Sequence, residues 1–215
     1  MGITERKQKE KEIRKNDIIN AAERVFFTKG YAVATMDDVA KEAEFSKRTV
    51  YVYFNSKEQI YFEIMLRGYK LLIHSLEKDL SNQQDIHALE RIKQIGHTLY
   101  TFNEQYPNYF EAIVEYETGE MDFDKGITDS SREECYKLGE KVLAILIEAL
   151  AQGIEEGAIR KEIDVLDTAL VLWSCTIGAF TIAKRKANYI KHYHKRESKD
   201  LIFNTFELLI RSIKS

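Results

Sequence analysis

Residues 46 to 57 read Ser46-Lys-Arg-Thr-Val-Tyr-Val-Tyr-Phe-Asn-Ser-Lys57, a run in which cations, hydroxyls and phenols alternate with apolar side chains. At ~100° per residue of a helix, Val50 and Phe54 share one face and suit packing. Arg48 and Val52 then point most directly away, with Thr49 and Tyr51 on the flanks. An outward face of this kind suits a DNA duplex. Arginine pairs bidentately with guanine O6 and N7, valine touches a thymine methyl, and Thr or Tyr hydroxyls donate to phosphate oxygens. Lys47 and Lys57 fall at the starts of two expected helices, where backbone N–H groups already favour an anion, so each is expected to hold phosphate. Thr35 and Ser46 fit two roles, helix cap or phosphate contact, and the rings of Tyr51 and Tyr53 fit either partial packing or the same contacts.

Other chemistry finds little support. His192-x-His194 lies among Lys191, Lys195 and Arg196, which repel a metal cation, and has no Cys or carboxylate at ligand spacing. No Gly-rich phosphate loop, GxSxG or HExxH occurs. The expectation is a protein with no enzymatic activity and no metal or cofactor. Carboxylates from Glu111 to Asp124 are expected to form a solvated acidic loop. Cys135 and Cys175 stand 40 residues apart without a CxxC, which fits a reducing, cytoplasmic location.

The elements that must position the 46–57 run follow from composition and periodicity. Of 215 residues only ten are Gly and one is Pro, too few turn-formers for a sandwich or barrel that turns every ~8 to 12 residues. The fold class expected is all-α. A first helix is expected from near Lys9 to Gly30, with Ile18, Ala22, Val25 and Phe26 on one face. Short helices follow over Met36–Ala43, opened by Thr35 with Asp38 in a capping-box arrangement, and Lys47–Phe54, opened by Ser46. A long fourth, with Ser56 and Gln59 as its box, is expected to reach about Leu80. Two short helices ahead of a long one have the layout of a helix-turn-helix. Beyond them, helices are expected over Gln84–Glu104, Asn108–Glu117, Ser131–Glu156, Val165–Lys186 and Lys199–Ile213, with a break at Pro107 and a polar connection through His192 and His194.

Charge divides the chain. Residues 1 to 60 carry 12 Lys/Arg against 10 Asp/Glu, net +2, and the remaining 155 carry 20 against 25, net -5. Six cations and two glutamates lie between Arg6 and Lys15, a basic start that fits an arm drawn to phosphate or a plain solvated helix. The expected division is 1–60 and 61–215, with the seam inside the fourth helix. Thr168–Ala183 is uncharged for 16 residues, short of the ~20 that span a bilayer, and is expected to be buried in protein, not membrane.

Thr35-Met-Asp-Asp-Val-Ala40 followed by Phe45-Ser-Lys-Arg-Thr-Val-Tyr-Val-Tyr-Phe-Asn-Ser-Lys-Glu58 closely resembles the DNA-binding motif of the TetR family of bacterial transcriptional regulators. The resemblance implies phosphate contacts from Thr35, Tyr51, Tyr53 and Lys57, and base or phosphate contacts from Lys47, Arg48, Thr49 and Val52. Ser46, which opens the reading helix, is taken with them. Two positions depart from the family pattern, Glu44 in the turn and Arg48 on the reading helix, where Gly is common. Glu44 in a left-handed turn costs of order 1 kcal/mol.

The resemblance also implies a larger helical C-terminal domain that binds a small-molecule effector and dimerises. Phe62, Tyr69, Phe102, Phe110, Tyr116 and Trp173 are candidates to line its pocket, with simple core packing the alternative. Ile202, Phe206, Leu209 and Ile213 step by 4, 3 and 4, as do Leu170, Ser174, Ile177 and Thr181 beside Gly178, and these two stripes are the expected homodimer interface. The function expected is a ligand-responsive repressor whose dimer occupies successive major grooves of a palindromic double-stranded operator. Activation through the same head, or a small-molecule-binding or protein-interaction module, are the alternatives.

Overall fold

The computed structural model describes residues 2–81, 86–118 and 130–215. Among the described residues the chain is all-α, with ten helices and no strand: α1 (Ile3–Lys29), α2 (Met36–Glu42), α3 (Lys47–Tyr53), α4 (Lys57–Ser81), α5 (Ala88–Gln105), α6 (Pro107–Glu117), α7 (Ser130–Glu155), α8 (Val165–Arg185), α9 (Ala187–His194) and α10 (Ser198–Ile213).

Three differences from the sequence expectation have local causes. α1 begins at Ile3, two turns ahead of Lys9, so the basic start is helical; Arg6 pairs with Glu10 one turn on. Pro107 begins α6 instead of preceding it, because its fixed φ suits the first helical position and its missing N–H has no partner there anyway. The chain breaks at Tyr106, with φ -131° and ψ 54°. The polar connection contains α9, whose Tyr189, Ile190 and Tyr193 supply too small an apolar stripe to stand out. It ends at Lys195, in the left-handed region at φ 56°. The expected acidic loop and the expected start of the fifth helix at Gln84 lie largely outside the described residues.

The chain forms two compact units. The first comprises residues up to Tyr69 together with 130–136, and so reaches past residue 60. Its extension has a plain cause: Arg67 on α4 donates to Asn20 Oδ1 at 2.8 Å and Glu23 Oε2 at 2.9 Å on α1, and Lys15 donates to Glu63 at 2.6 Å. Ser131 Oγ donates to the same Glu63 oxygen at 3.0 Å, which ties the start of α7 to this unit. Its core includes Ile18, Ala22, Val39, Val50 and Phe54, all buried. Full burial of each larger apolar side chain contributes about 1.5–3 kcal/mol.

The second unit comprises 70–118 and 137–215 among the described residues. It buries Ile95, Leu99 and Phe102 of α5, Phe110 of α6, Leu172 and Phe180 of α8, and Ile210 of α10. At Gly96 an added Cβ would come within 3.2 Å of the Phe206 ring, so α10 approaches α5 closely there. α4 and α7 each run unbroken from one unit into the other.

α8 is long and apolar enough to cross a membrane by length and composition, and a third of its most apolar window is buried within the unit. The burial in protein expected for Thr168–Ala183 covers one side of the helix in the protomer. One face, with Ala169, Leu172, Thr176 and Phe180, is inside; the opposite face, with Leu166, Leu170, Val171 and Ile182, is exposed.

Candidate nucleic-acid interface and effector cavity

α2 starts where Thr35 Oγ1 accepts from the Asp38 N–H at 3.2 Å and the Asp38 carboxylate accepts back from the Thr35 N–H at 2.9 Å and hydroxyl at 2.7 Å. Aspartate thus closes the capping box at short reach. Lys29 donates to the same carboxylate at 2.8 Å. That bond first, then those from Thr35, holds the Asp38 pKa down to about 2.

The turn between α2 and α3 passes through Glu44 at φ 57°, in the left-handed region. Phe45 N–H donates to Ala40 C=O at 3.0 Å and Glu44 N–H to Lys41 C=O at 3.2 Å, so the last carbonyls of α2 are satisfied. Ser46 then caps α3, accepting from the Thr49 N–H at 3.1 Å, and its hydroxyl lies 2.8 Å from Thr49 Oγ1.

On α3 the burial is one-sided. Val50 is 0% exposed and Phe54 3%, whereas Val52 is 70% exposed, Tyr51 44%, and Arg48 is exposed. Thr49 and Tyr53 are half-buried. Among the described residues Arg48 makes no ion pair or hydrogen bond, so its five donors face outward. The two lysines expected to hold phosphate are engaged within the unit. Lys47 Nζ sits 2.8 Å from Asp37 Oδ1, a pairing that raises its pKa, chiefly through the hydrogen bond to Asp37.

Lys57 differs most from the expectation of a phosphate contact. Its ammonium donates to the carbonyls of Tyr31 at 2.7 Å and Ala34 at 2.9 Å, with Ala32 at 3.4 Å, and lies 4.4 Å from the Tyr31 ring centroid. All three donors therefore face the α1–α2 connection, whose carbonyls have no helix to satisfy them. The Tyr31 ring stacks on Tyr61 at 4.2 Å, and burial, then the charge of Glu58, pushes its hydroxyl pKa up to about 12. Nothing in the spacing of the sequence places Lys57 against residues 31–34; the fold does.

In the second unit a cavity of about 450 Å³ lies among α5, α6, α8 and α10. Its floor is apolar, with Phe110, Val114, Phe180 and Ile202; Lys184, Arg185, Lys199 and three glutamates rim it. Of the six aromatics named as pocket candidates, Phe110 lines this cavity and Trp173 lines a smaller apolar void of about 50 Å³. Phe62, Tyr69 and Phe102 are buried and Tyr116 is half-buried, and none of the four lines either space. The sequence does not reveal this rim, because Lys184 and Arg185 end one expected helix and Lys199 starts another, and only the fold brings the two ends together.

The two dimer stripes divide. Leu170, Ser174 and Gly178 lie on the exposed face of α8, and an added Cβ at Gly178 would meet nothing within 4 Å. Ile177 is buried and Thr181 half-buried. On α10 the expected stripe is corrected: Ile202 and Ile213 are buried, Leu209 is half-buried, and half-buried Phe206 packs against Gly96 and lies 6.3 Å from the Phe180 ring. Ile202 and Ile213 of this stripe thus face the protomer's own core, and Phe206 and Leu209 lie at its edge. The outer face of α10 carries Phe203 and Leu208 instead. Both faces of such helices repeat at 3 to 4 residues, so period alone does not tell inward from outward. Among the described residues no three His, Cys, Asp or Glu side chains group to hold a metal ion.

Residues 18–64 match the family model described as bacterial regulatory proteins, tetR family. Over 73 residues the chain is 37% identical to the HTH-type transcriptional regulator YfiR of Bacillus subtilis, a match covering 34% of this chain and 36% of that one. It therefore spans about a third of the length of that curated relative. Solved structures are similar over nearly the whole chain. The regulator FadR from Bacillus subtilis, in complex with stearoyl-CoA, superposes with a TM-score of 0.65 at 21% identity, covering 92% of this chain and 98% of that one. AibR, in complex with isovaleryl coenzyme A and operator DNA, gives 0.62 at 20% identity over 92% and 98%. At these identities the likeness is one of fold.

Proposed function

Because the chain belongs to the TetR family of bacterial regulatory proteins through its N-terminal domain, we propose that it is a ligand-responsive repressor that binds a palindromic operator as a dimer. The observation that carries this reading is the outward ridge of α3, where Arg48 and Val52 are exposed and have no competing partner while Val50 and Phe54 anchor the helix from behind. Arg48 reads a guanine and Val52 a thymine methyl. Thr49, Tyr51 and Tyr53 contact phosphates from the flanks, and Thr35 and Ser46 fix the two helices as caps. Lys47 exchanges Asp37 for a phosphate on binding, which costs little for an exposed pair.

Dimerisation uses the outer face of α8, with Leu166, Leu170, Val171, Ser174, Gly178 and Ile182, together with Phe203 and Leu208 of α10. A surface this apolar on a water-soluble chain calls for a partner, and a symmetric dimer supplies the two-fold axis that matches a palindrome. Small-molecule binding in the second unit biases α4, which continues into the DNA-binding unit, and so changes operator affinity. A ~100-fold loss requires a preference of ~2.7 kcal/mol for the non-binding arrangement. Acyl-CoA thioesters, held by two of the structural neighbours, are a class of effector to test.

The test is a gel-shift or anisotropy titration against the upstream DNA of the gene itself and against a randomised duplex pool. Saturable, salt-sensitive binding to a two-fold symmetric site is expected, and Arg48→Ala changes the preferred bases at one position of each half-site. Loss of affinity that is equal on every sequence makes Arg48 a backbone contact only. No selection of any site by folded protein at low salt overturns the reading.

A further inference from the structure

We propose that the cavity among α5, α6, α8 and α10 binds an amphipathic anion, with its acyl or alkyl tail on the apolar floor and a phosphate-bearing head at Arg185 and Lys199. This rests on the reading of the second unit as an effector domain and names the site and the ligand chemistry.

The cavity of about 450 Å³ falls within the range of small-molecule sites. Its floor, Phe110, Val114, Phe180, Ala183 and Ile202, offers no polar side chain to a ligand. Tyr100, Asn103, Thr181 and Ser198 add polar groups to the lining, so the space suits a ligand with both an apolar and a polar part.

The rim decides the sign of the head group. Lys184 is committed to Glu111, with Nζ 2.6 Å from Oε1. Arg185 and Lys199 are exposed and make no ion pair among the described residues. Glu104 and Glu115 also stand on the rim and equal those two cations in number, so the surplus of positive charge comes from the segment that joins Arg185 to Lys199. From Lys184 to Lys199 the chain carries seven Lys/Arg and one Glu, net +6, within a protein of net charge -3. Cations concentrated at one mouth draw in an anion and make its binding depend on salt. α10 adds to this: it begins at Ser198 on the same rim without a side-chain cap, and although the Asp200 N–H donates to the Glu197 carbonyl, the N–H groups of Ser198 and Lys199 favour a phosphate. A cationic amphiphile would meet Arg185 and Lys199 as like charges, and a plain fatty acid offers them a single carboxylate. A nucleotide thioester and a simple alkyl phosphate share the chemistry that fits.

Calorimetric titration of the full chain, without DNA, separates the parts. The probes are octanoyl-CoA, octyl phosphate, coenzyme A alone and octanoate alone. Octanoyl-CoA or octyl phosphate is expected to bind saturably, and the tighter of the two identifies the head group. Coenzyme A and octanoate are expected to bind at least tenfold more weakly than that ligand. The double variant Arg185→Gln/Lys199→Gln, altered only at exposed side chains, should weaken the phosphate-bearing ligand at least tenfold, abolish most of its salt dependence and leave octanoate unchanged. A double variant that binds as the wild type does overturns the head-group site. So does one that loses octanoate equally. If none of the four probes binds to protein that still selects its operator, the ligand class is wrong and the regulator reading stands. Failure to select any DNA strikes that reading and leaves the calorimetric result to be judged by itself.

Discussion

Replacing Lys57 by Met keeps most of the aliphatic stem and removes the three N–H donors that hold the carbonyls of Tyr31, Ala32 and Ala34. Hydrogen bonds to a charged group contribute about 1.5–3 kcal/mol each when well formed. Two here are short, but the site is half-buried and water can replace part of what is lost, so one such bond in full is a fair measure for the pair. The contact with the Tyr31 ring adds about 0.5–1 kcal/mol. The sum is about 3 kcal/mol, which for a chain of this size unfolding as a whole lowers Tm by about 6–12 °C. Thermal unfolding followed by far-UV circular dichroism measures the loss. Operator titrations at several salt concentrations, at a temperature where both proteins are folded, measure the rest. The slope of log K against log salt is expected to stay as in the wild type. If Tm moves by less than about 2 °C while the slope flattens by about 0.9 per head, the ammonium spends its charge on a phosphate, and the reasoning from the free protein is refuted.

Asp38 supplies a pH signature. Its pKa is about 2 when folded, below the ordinary 3.8, so the unfolded chain binds the proton first and stability is lost as pH falls from about 4 toward 2. Asp38→Asn should flatten the fall of the unfolding midpoint across that window, and an unchanged fall removes the carboxylate from the account. Glu44→Gly relieves a left-handed residue worth of order 1 kcal/mol but adds unfolded-state freedom of about 0.4–1 kcal/mol, so urea unfolding should show the variant between equal and about 1 kcal/mol more stable. A destabilised variant would mean that the turn holds Glu44 without strain. Val171→Asp, on a side chain 57% exposed in the protomer, should yield monomers in sedimentation with native circular dichroism, and an unchanged dimer mass would move the interface off α8. Phe206→Asp is expected to unfold the second unit instead of merely separating protomers, since its ring packs on Gly96.

The all-α class, the helix-turn-helix and the outward ridge of α3 can be read from residues 35–58 because they are local. Caps sit three residues from their partners, and a helix repeats every 3.6 residues, so Ser46, Val50 and Arg48 take their places from sequence distance alone. Helix positions within the second half are read nearly as well, apart from α9, where too few apolar residues repeat.

Tertiary structure alone decided what depends on groups distant in sequence. Lys57 meets carbonyls 23 to 26 residues away, and Lys47 meets Asp37 across the turn; a charge seen in sequence has no visible partner. The inward and outward faces of α8 are both apolar at the same period, so only packing tells them apart, and on α10 it is the contact with Gly96 and Phe180 that turns Phe206 inward. The cavity likewise needs four helices to converge, and its cations become a rim only when Lys184, Arg185 and Lys199 are brought to one mouth. Short-range hydrogen bonding and periodicity are written along the chain, whereas pairing and exposure belong to surfaces that exist only after it folds.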